Sequence, residues 1–375
     1  MDTLAELRAG TLANTKQLSL RNADLSALPL ELVSLASTLE HLDLSGNARL
    51  SRLPSPDAFP YAAFTKLKII FFSDCSFVNF PAELALFPAA SMLSFRGNGM
   101  GYIPTGALPT HLRWLILTNN KLPALPEDIG RCAQLEKVML AGNQLTSLPA
   151  SMAQCTRLAL LRISCNELAT IPEWLWAMPR LAFLAFSGNP CTPSSTDAPS
   201  TTRDIPASAL TMGAVLGSGA SGIISQATWE SAAVAVKVFK SASITSDGSP
   251  ADEMRAALLA GRHSNLVSVL GRLVDPNGPP GIILELVPST YTVLGGSPSF
   301  DSCTRDVYAP DARLGTASAR VLLRGIAAAA QHCHAVGIVH ADLYAHNILL
   351  DTEADGAGHA DRKSTRLNSS HPLDL

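Results

Sequence analysis

Asn120, Asn143, Asn166 and Asn189 stand at a constant spacing of 23 residues. A period this strict means that each copy sets its Asn in the same local surroundings, which is the mark of a stacked repeat. The apolar residues keep the same offsets. Leu112, Leu115, Leu117 and Leu122 surround the first Asn. Leu135, Val138, Leu140 and Leu145 surround the second, and Leu158, Leu161, Ile163 and Leu168 the third; Leu181, Leu184 and Phe186 precede the last. Weaker copies centre on Asn47 and Asn98, and two more put Ala23 and Cys75 where Asn is expected, making eight. Alternating apolar residues turn one face of a short strand into a core. The Asn amide can bond backbone groups left unpaired where the chain leaves the strand. Leu125-Pro126, Leu148-Pro149 and Ile171-Pro172 follow, with Glu127, Asp128 and Glu173 next to them. Proline is tolerated at a first helical position, and a first turn favours acids. Each copy thus predicts one short strand and one helical turn, stacked to bury a continuous core. A Leu-rich helical bundle would not keep Asn and Leu-Pro at fixed intervals.

These residues resemble the leucine-rich-repeat family over about residues 12–191. The resemblance implies an α/β solenoid of about eight repeats that binds other proteins on its concave face and carries no catalysis of its own. Strand residues between the core positions point away from the core. In the last six repeats they are Ile69 and Phe71, Met92 and Ser94, Trp114 and Ile116, Lys137 and Met139, Leu160 and Arg162, and Phe183 and Ala185. Most are apolar on a face expected to meet solvent, which marks an interaction surface. Trp114, Ile116, Met139 and Arg162 are the candidate partner-binding residues, since Trp, Met and Arg are enriched at interfaces. Residues 192–206 are rich in Ser, Thr and Pro and read as a linker, or as a loop closing the last repeat.

The second half carries different chemistry. Gly217-Ser218-Gly219-Ala220-Ser221-Gly222 has the spacing G-x-G-x-x-G, and the apolar run Val234-Ala235-Val236 ends in Lys237. Glycines let a backbone approach phosphates, and a Lys closing the next strand can reach the α- and β-phosphates. A dinucleotide site would need a helix directly after the glycines, whereas Ala227-Thr228-Trp229 reads as extended. Ser249 is a candidate N-cap, with Pro250 at N1 and Asp252 at the capping-box position, of a helix running to about Ala260. Glu253 in its first turns either pairs with Lys237 or is a surface acid favoured by the helix dipole. After an Ala-rich helix, Ala317 to Ala335, comes His340-Ala341-Asp342-Leu343-Tyr344-Ala345-His346-Asn347, of the form H-x-D-x-x-x-x-N. His332 and His334 are two apart on that helix and face different ways, which argues against a metal site built with His340 and His346.

In order, type and spacing, residues 207–360 resemble the protein-kinase family, in particular bacterial-type kinases fused to leucine-rich repeats. The resemblance implies an α+β protein-kinase-like fold, a small lobe plus the start of a large lobe, that uses ATP and Mg2+ to phosphorylate protein hydroxyls of the Ser/Thr kind. It implies that Asp342 accepts the substrate proton, that Lys237 and Glu253 form an ion pair at the phosphates, and that Asn347 holds magnesium. Leu216, Gly217, Gly219, Gly222, Ile224 and Ala235 would border the nucleotide. The Glu285 carbonyl and Val287 amide would bond the adenine, with Leu284 as gatekeeper. His263-Ser264-Asn265-Leu266-Val267 resembles the segment that closes the Glu-bearing helix. Two departures stand out: Ala341 where kinases carry Arg, and Tyr344 where Ser/Thr kinases carry Lys. They keep open an alternative, a pseudokinase scaffold acting through its repeats.

Asp361 stands near the place of an Asp-Phe-Gly motif but is followed by Arg362-Lys363, and residues 361–375 are polar and aperiodic. They read as a non-native tail after an incomplete kinase domain, so the chain as written is expected not to turn over ATP. The net charge of −3 gives no reason to expect nucleic acid. Seven scattered Cys without Cys-x-x-Cys spacing indicate neither a disulfide framework nor zinc. The first residues have no basic-then-apolar leader pattern, and no apolar run is long enough to span a bilayer. A cytoplasmic protein is expected.

Overall fold

The structure is a computed structural model that describes residues 3–192, 203–218, 222–240, 250–297, 306–338 and 343–351, with the backbone alone of 365–367. The chain forms two compact units. One runs through Leu184 and takes in Asn189–Cys191; the other holds Ala185–Gly188 and the chain from Thr192.

The first unit opens with a short helix, α1 (Thr3–Arg8), and then builds an eight-stranded sheet in sequence order. Its strands are β1 (Gln17–Ser19), β2 (His41–Asp43), β3 (Ile69–Phe71), β4 (Met92–Ser94), β5 (Trp114–Ile116), β6 (Lys137–Met139), β7 (Leu160–Arg162) and β8 (Phe183–Ala185). From β1 to β7 neighbours pair in parallel and in register, Leu115 against Val138 and Val138 against Leu161. The middle residue of each of these strands is buried, as the alternation requires. The repeat between β2 and β3 is longer, and Phe59, Tyr61 and Phe64 fill its extra volume, with Phe59 stacked on Phe64 at 5.2 Å.

The helical turns are 3-10 turns, such as Glu127–Arg131, Ala150–Gln154 and Glu173–Ala177. Pro126, Pro149 and Pro172 precede them at the N-cap with extended backbone, one place earlier than the first-helical position expected from sequence. An extended proline satisfies the same constraint, because it needs no N–H partner and cannot be drawn into the turn.

The Asn ladder does more than close its own turn. The Asn143 amide donates to Leu140 O (2.8 Å) in its own repeat and to Leu117 O (2.9 Å) in the previous one, and its Oδ1 accepts the Leu122 N–H (3.1 Å). Asn47, Asn98, Asn120 and Asn166 repeat this pattern. Each of these side chains stitches two repeats together. At the degenerate position the Cys75 thiol donates to Leu44 O (3.4 Å), keeping one bond of the set, and burial raises its pKa.

The second unit carries a six-stranded sheet in the order β10-β11-β12-β14-β13-β9. The strands are β9 (Asp204–Pro206), β10 (Leu210–Ser218), β11 (Gly222–Trp229), β12 (Ala232–Phe239), β13 (Val269–Val274) and β14 (Gly281–Glu285). Residues 204–206, which read from sequence as the end of a linker, are the edge strand β9, parallel to β13. One apolar residue suffices to dock it: Ile205 is buried, while Asp204 receives both Nε and Nη2 of Arg272 at 2.8 and 2.7 Å. Helix α2 (Pro250–Ala260) packs on β13 and β14, and α3 (Thr316–Ala335) follows. A further sheet joins β15 (Tyr291–Val293), β16 (Ile348–Asp351) and β17 (Thr365–Leu367). Thus part of the tail pairs its backbone with β16, which is possible because main-chain groups make an edge strand whatever the side chains.

Candidate functional site

The alternation of β12 decides where its residues go. Val234 and Val236 join the cluster of Ile205, Ala227, Trp229 and Ile283 on one face of the sheet. Ala235, Phe239 and therefore Lys237 look to the other, where Ala257 and Leu258 of α2 pack. Glu253 sits in the first turns of α2, and its carboxylate meets the Lys237 ammonium in a direct ion pair. Lys237 is 6% exposed and Glu253 4%. A buried charge of either sign is costly alone, so each requires the other. The choice left open by sequence, ion pair or surface acid, falls to the pair. The Phe239 ring adds a cation-π contact, 5.2 Å from Nζ. Ser249, the expected N-cap, lies outside the described residues.

An apolar surface adjoins this pair. Ala235 and the gatekeeper candidate Leu284 belong to one buried cluster, against which Ile224, Val287 and Leu349 pack. Leu349 was not singled out from sequence. It follows Asn347 by two places, and strand alternation from Asn347 would have pointed to it. Leu216, expected in the same wall, is 51% exposed on β10 and is not part of that cluster. The Glu285 side chain accepts the Ser268 N–H at 2.7 Å, and its own N–H donates to Ser268 O at 3.0 Å.

The glycines divide by role. A Cβ at Gly217 would meet nothing within 4 Å, so the backbone there stands open to a ligand. A Cβ at Gly222 would lie 2.4 Å from Val238 O, so its smallness is demanded by the approach of β11 to β12. Gly219 lies outside the described residues. So do His340, Ala341 and Asp342, the expected proton acceptor among them. Asn347 is described: it ends the 3-10 turn Ala345–Asn347, its N–H donates to Tyr344 O (3.0 Å), and it is 5% exposed. His332 bonds Ala260 O at 2.8 Å and stacks on His263 at 4.9 Å, while His334 is exposed. Among the described residues no group of His, Cys, Asp and Glu is arranged to hold a metal.

Residues 210–360 match the family model for the protein kinase domain, and residues 133–190 match that for the leucine rich repeat. The chain joins leucine-rich repeats to a protein kinase domain. Within the matched kinase region Lys237 lies on β12, Glu253 on α2, and Asn347 at the end of the turn that leads into β16. A Drosophila melanogaster protein, Fibroblast growth factor receptor homolog 1, is 38% identical over 86 residues, which are 23% of this chain and 12% of that protein. The chain thus spans a small part of that relative's length. A solved structure of a Leptospira interrogans LRR protein is similar at 24% identity and a TM-score of 0.40, over 50% of this chain and 52% of the other.

On the repeats, Trp114 is 7% exposed, and Lys137 Nζ lies 4.0 Å over its ring. Arg162 lies 4.9 Å over the Phe183 ring. Ile116, Met139 and Arg162 are half-buried. The cations cover the rings, so this strand face is less apolar to an approaching partner than its residue types alone imply.

Proposed function

We propose that the kinase domain is an ATP- and Mg2+-dependent protein kinase, transferring the γ-phosphate to a protein hydroxyl, with the repeats recruiting a substrate or partner. The buried Lys237–Glu253 pair carries this reading. Holding both charges dry is expensive, and a structural site would be served as well by two apolar side chains. The pair also stands on the face of β12 shared with Ala235, against which Ile224, Val287 and Leu349 pack. An adenine ring fits such an apolar surface, and the Glu285 carbonyl and Val287 N–H would bond its edge. Gly217 leaves its backbone open, as phosphate approach requires. Lys237, kept in place by Glu253, would bind the α- and β-phosphates; Asn347 would hold magnesium; Asp342 would take the hydroxyl proton. Magnesium, when bound, neutralises charge on the phosphates. Photolabelling of the full chain with azido-ATP, mapped by mass spectrometry, tests this. Label is expected in peptides containing Ala235, Val287 or Leu349; label confined to the repeats would overturn the reading.

The repeats are proposed to bind a protein through the half-buried strand residues Ile116, Met139 and Arg162, with Trp114 beneath Lys137. Partner recovery by pull-down is expected to fall in Met139→Ala and Trp114→Ala. Full recovery in both, with the repeats folded, would remove this face as the recruiting surface. The reading places the protein in the cytoplasm, which suits the free thiols Cys75, Cys132, Cys155 and Cys333, all buried. Burial pushes the Cys132 thiol up to about 12 and that of Cys155 to about 11, so neither is reactive at neutral pH. No helix among the described residues is long and apolar enough to cross a membrane.

A further inference from the structure

Asn347 is presented by a turn that its own strand does not fully hold. On one side the main chain is fixed, since Leu294 N–H donates to Ile348 O at 2.9 Å. On the other stands Asp306, some 40 residues earlier in the chain. Its Oδ2 accepts the Ala345 N–H at 2.5 Å, and its Oδ1 bonds His346 Nδ1 at 2.7 Å. The Asp306 side chain is 8% exposed and that of His346 23%. A carboxylate this buried needs strong partners, and a charge-assisted pair of bonds to backbone and imidazole supplies them. The His346 ring is in turn stacked on Tyr344 at 5.4 Å.

The segment bearing Asp306 is itself anchored. Val307 exchanges both main-chain bonds with Gly296, at 2.7 and 3.0 Å. A Cβ at Gly295 would lie 3.0 Å from the Tyr308 ring and 3.1 Å from Ala345 Cβ, so three chain segments are layered with no space between them. Asp306 thus reaches the turn from a fixed base.

We infer that Asp306 is a positioning residue for the magnesium-holding Asn347, clamping the Ala345–Asn347 turn through the Ala345 N–H and the His346 ring. The inference rests on the nucleotide reading of the kinase domain. Asp306 touches no reacting group in it; it acts by fixing where the Asn347 amide stands. Groups that orient a metal ligand from behind are typically worth 10–100-fold in metal affinity.

The test measures ATP affinity of the full chain by titration, in EDTA and again across a magnesium series. In Asp306→Ala the EDTA affinity is expected to stay at the unaltered chain's value, while the magnesium concentration giving half the metal-dependent gain rises on the order of tenfold. Asp306→Asn keeps an oxygen for the Ala345 N–H and is expected to recover most of that loss. His346→Phe keeps a ring on Tyr344 and removes the second bond, and is expected to fall between the two. An unshifted magnesium midpoint in Asp306→Ala overturns the inference while leaving the nucleotide reading intact. Equal losses in EDTA and in magnesium also overturn it, since they show a purely structural role. Absence of ATP binding by the unaltered chain overturns the nucleotide reading and the inference with it.

Discussion

Replacing Glu253 with Ala is expected to destabilise the kinase unit by about 3–5 kcal/mol, because it strands a buried Lys237 without its counter-charge. The Phe239 ring near Nζ offsets about 1–2 kcal/mol of that, since the contact is desolvated. The double variant Lys237→Met, Glu253→Leu removes both charges and fills their volume. Such replacements of a buried pair are typically neutral or stabilising by about 1–4 kcal/mol, so the double variant should unfold at or above the urea midpoint of the unaltered chain. It should nevertheless fail to bind ATP. A pair retained for packing would show the reverse, with binding following stability. Urea unfolding followed by a probe in the second unit, beside an ATP titration, separates the two. A cost below about 1 kcal/mol for Glu253→Ala would mean that water reaches the pair.

Asn143→Ala should be among the most damaging single changes in the repeats. It strands the Leu122 N–H and takes one of two donors from each of the Leu117 and Leu140 carbonyls, which keep the Asn120 and Asn166 amides, at a position 7% exposed. The stranded N–H costs about 1–3 kcal/mol and each lost carbonyl bond about 1 kcal/mol, for a total of about 3–5 kcal/mol. Because two of the three bonds cross to the preceding repeat, the loss weakens an interface as well as a turn. Asn143→Asp should be at least as harmful at neutral pH, since a carboxylate would face two carbonyl oxygens. As that opposition raises the folded-state pKa of the new Asp, its penalty should lessen as pH falls toward the unfolded value. Calorimetry of the full chain should show the repeat transition lowered by about 10 °C in Asn143→Ala. An unmoved transition would show that water replaces the amide without loss.

The repeats were readable from sequence because one periodic constraint is written many times over. Every Asn and every buried Leu of the strands repeats the same instruction, so even Ala23 and Cys75 could be aligned. What the period does not encode is the second partner of each Asn, since the cross-repeat bonds follow from stacking distance. Sequence put Lys237 at a strand end and Glu253 in the first turns of a helix, but left their pairing open, because a surface acid at a helix start has the same pattern. Asp306 was not readable: its partners lie 39 and 40 residues away, and neither period nor motif marks it. Strand β9 was missed because a Ser-, Thr- and Pro-rich approach hides a single buried Ile205. Gly222 was read as bordering the nucleotide, and the demand the fold makes on it is one of packing, since a Cβ there would meet Val238 O. Leu216, read as a pocket wall through the resemblance alone, stands exposed on β10 and outside the buried cluster of Ala235 and Leu284.

The central claim is that Lys237, held by Glu253, forms a nucleotide site. The most direct measurement is a calorimetric titration of the full chain with ATP and magnesium, set beside the same titration of Lys237→Met. The account predicts a one-to-one binding isotherm for the unaltered chain, weakened at least about tenfold in the variant through loss of a charged hydrogen bond to phosphate. Equal affinity in the two, or no binding by a correctly folded unaltered chain, would contradict it.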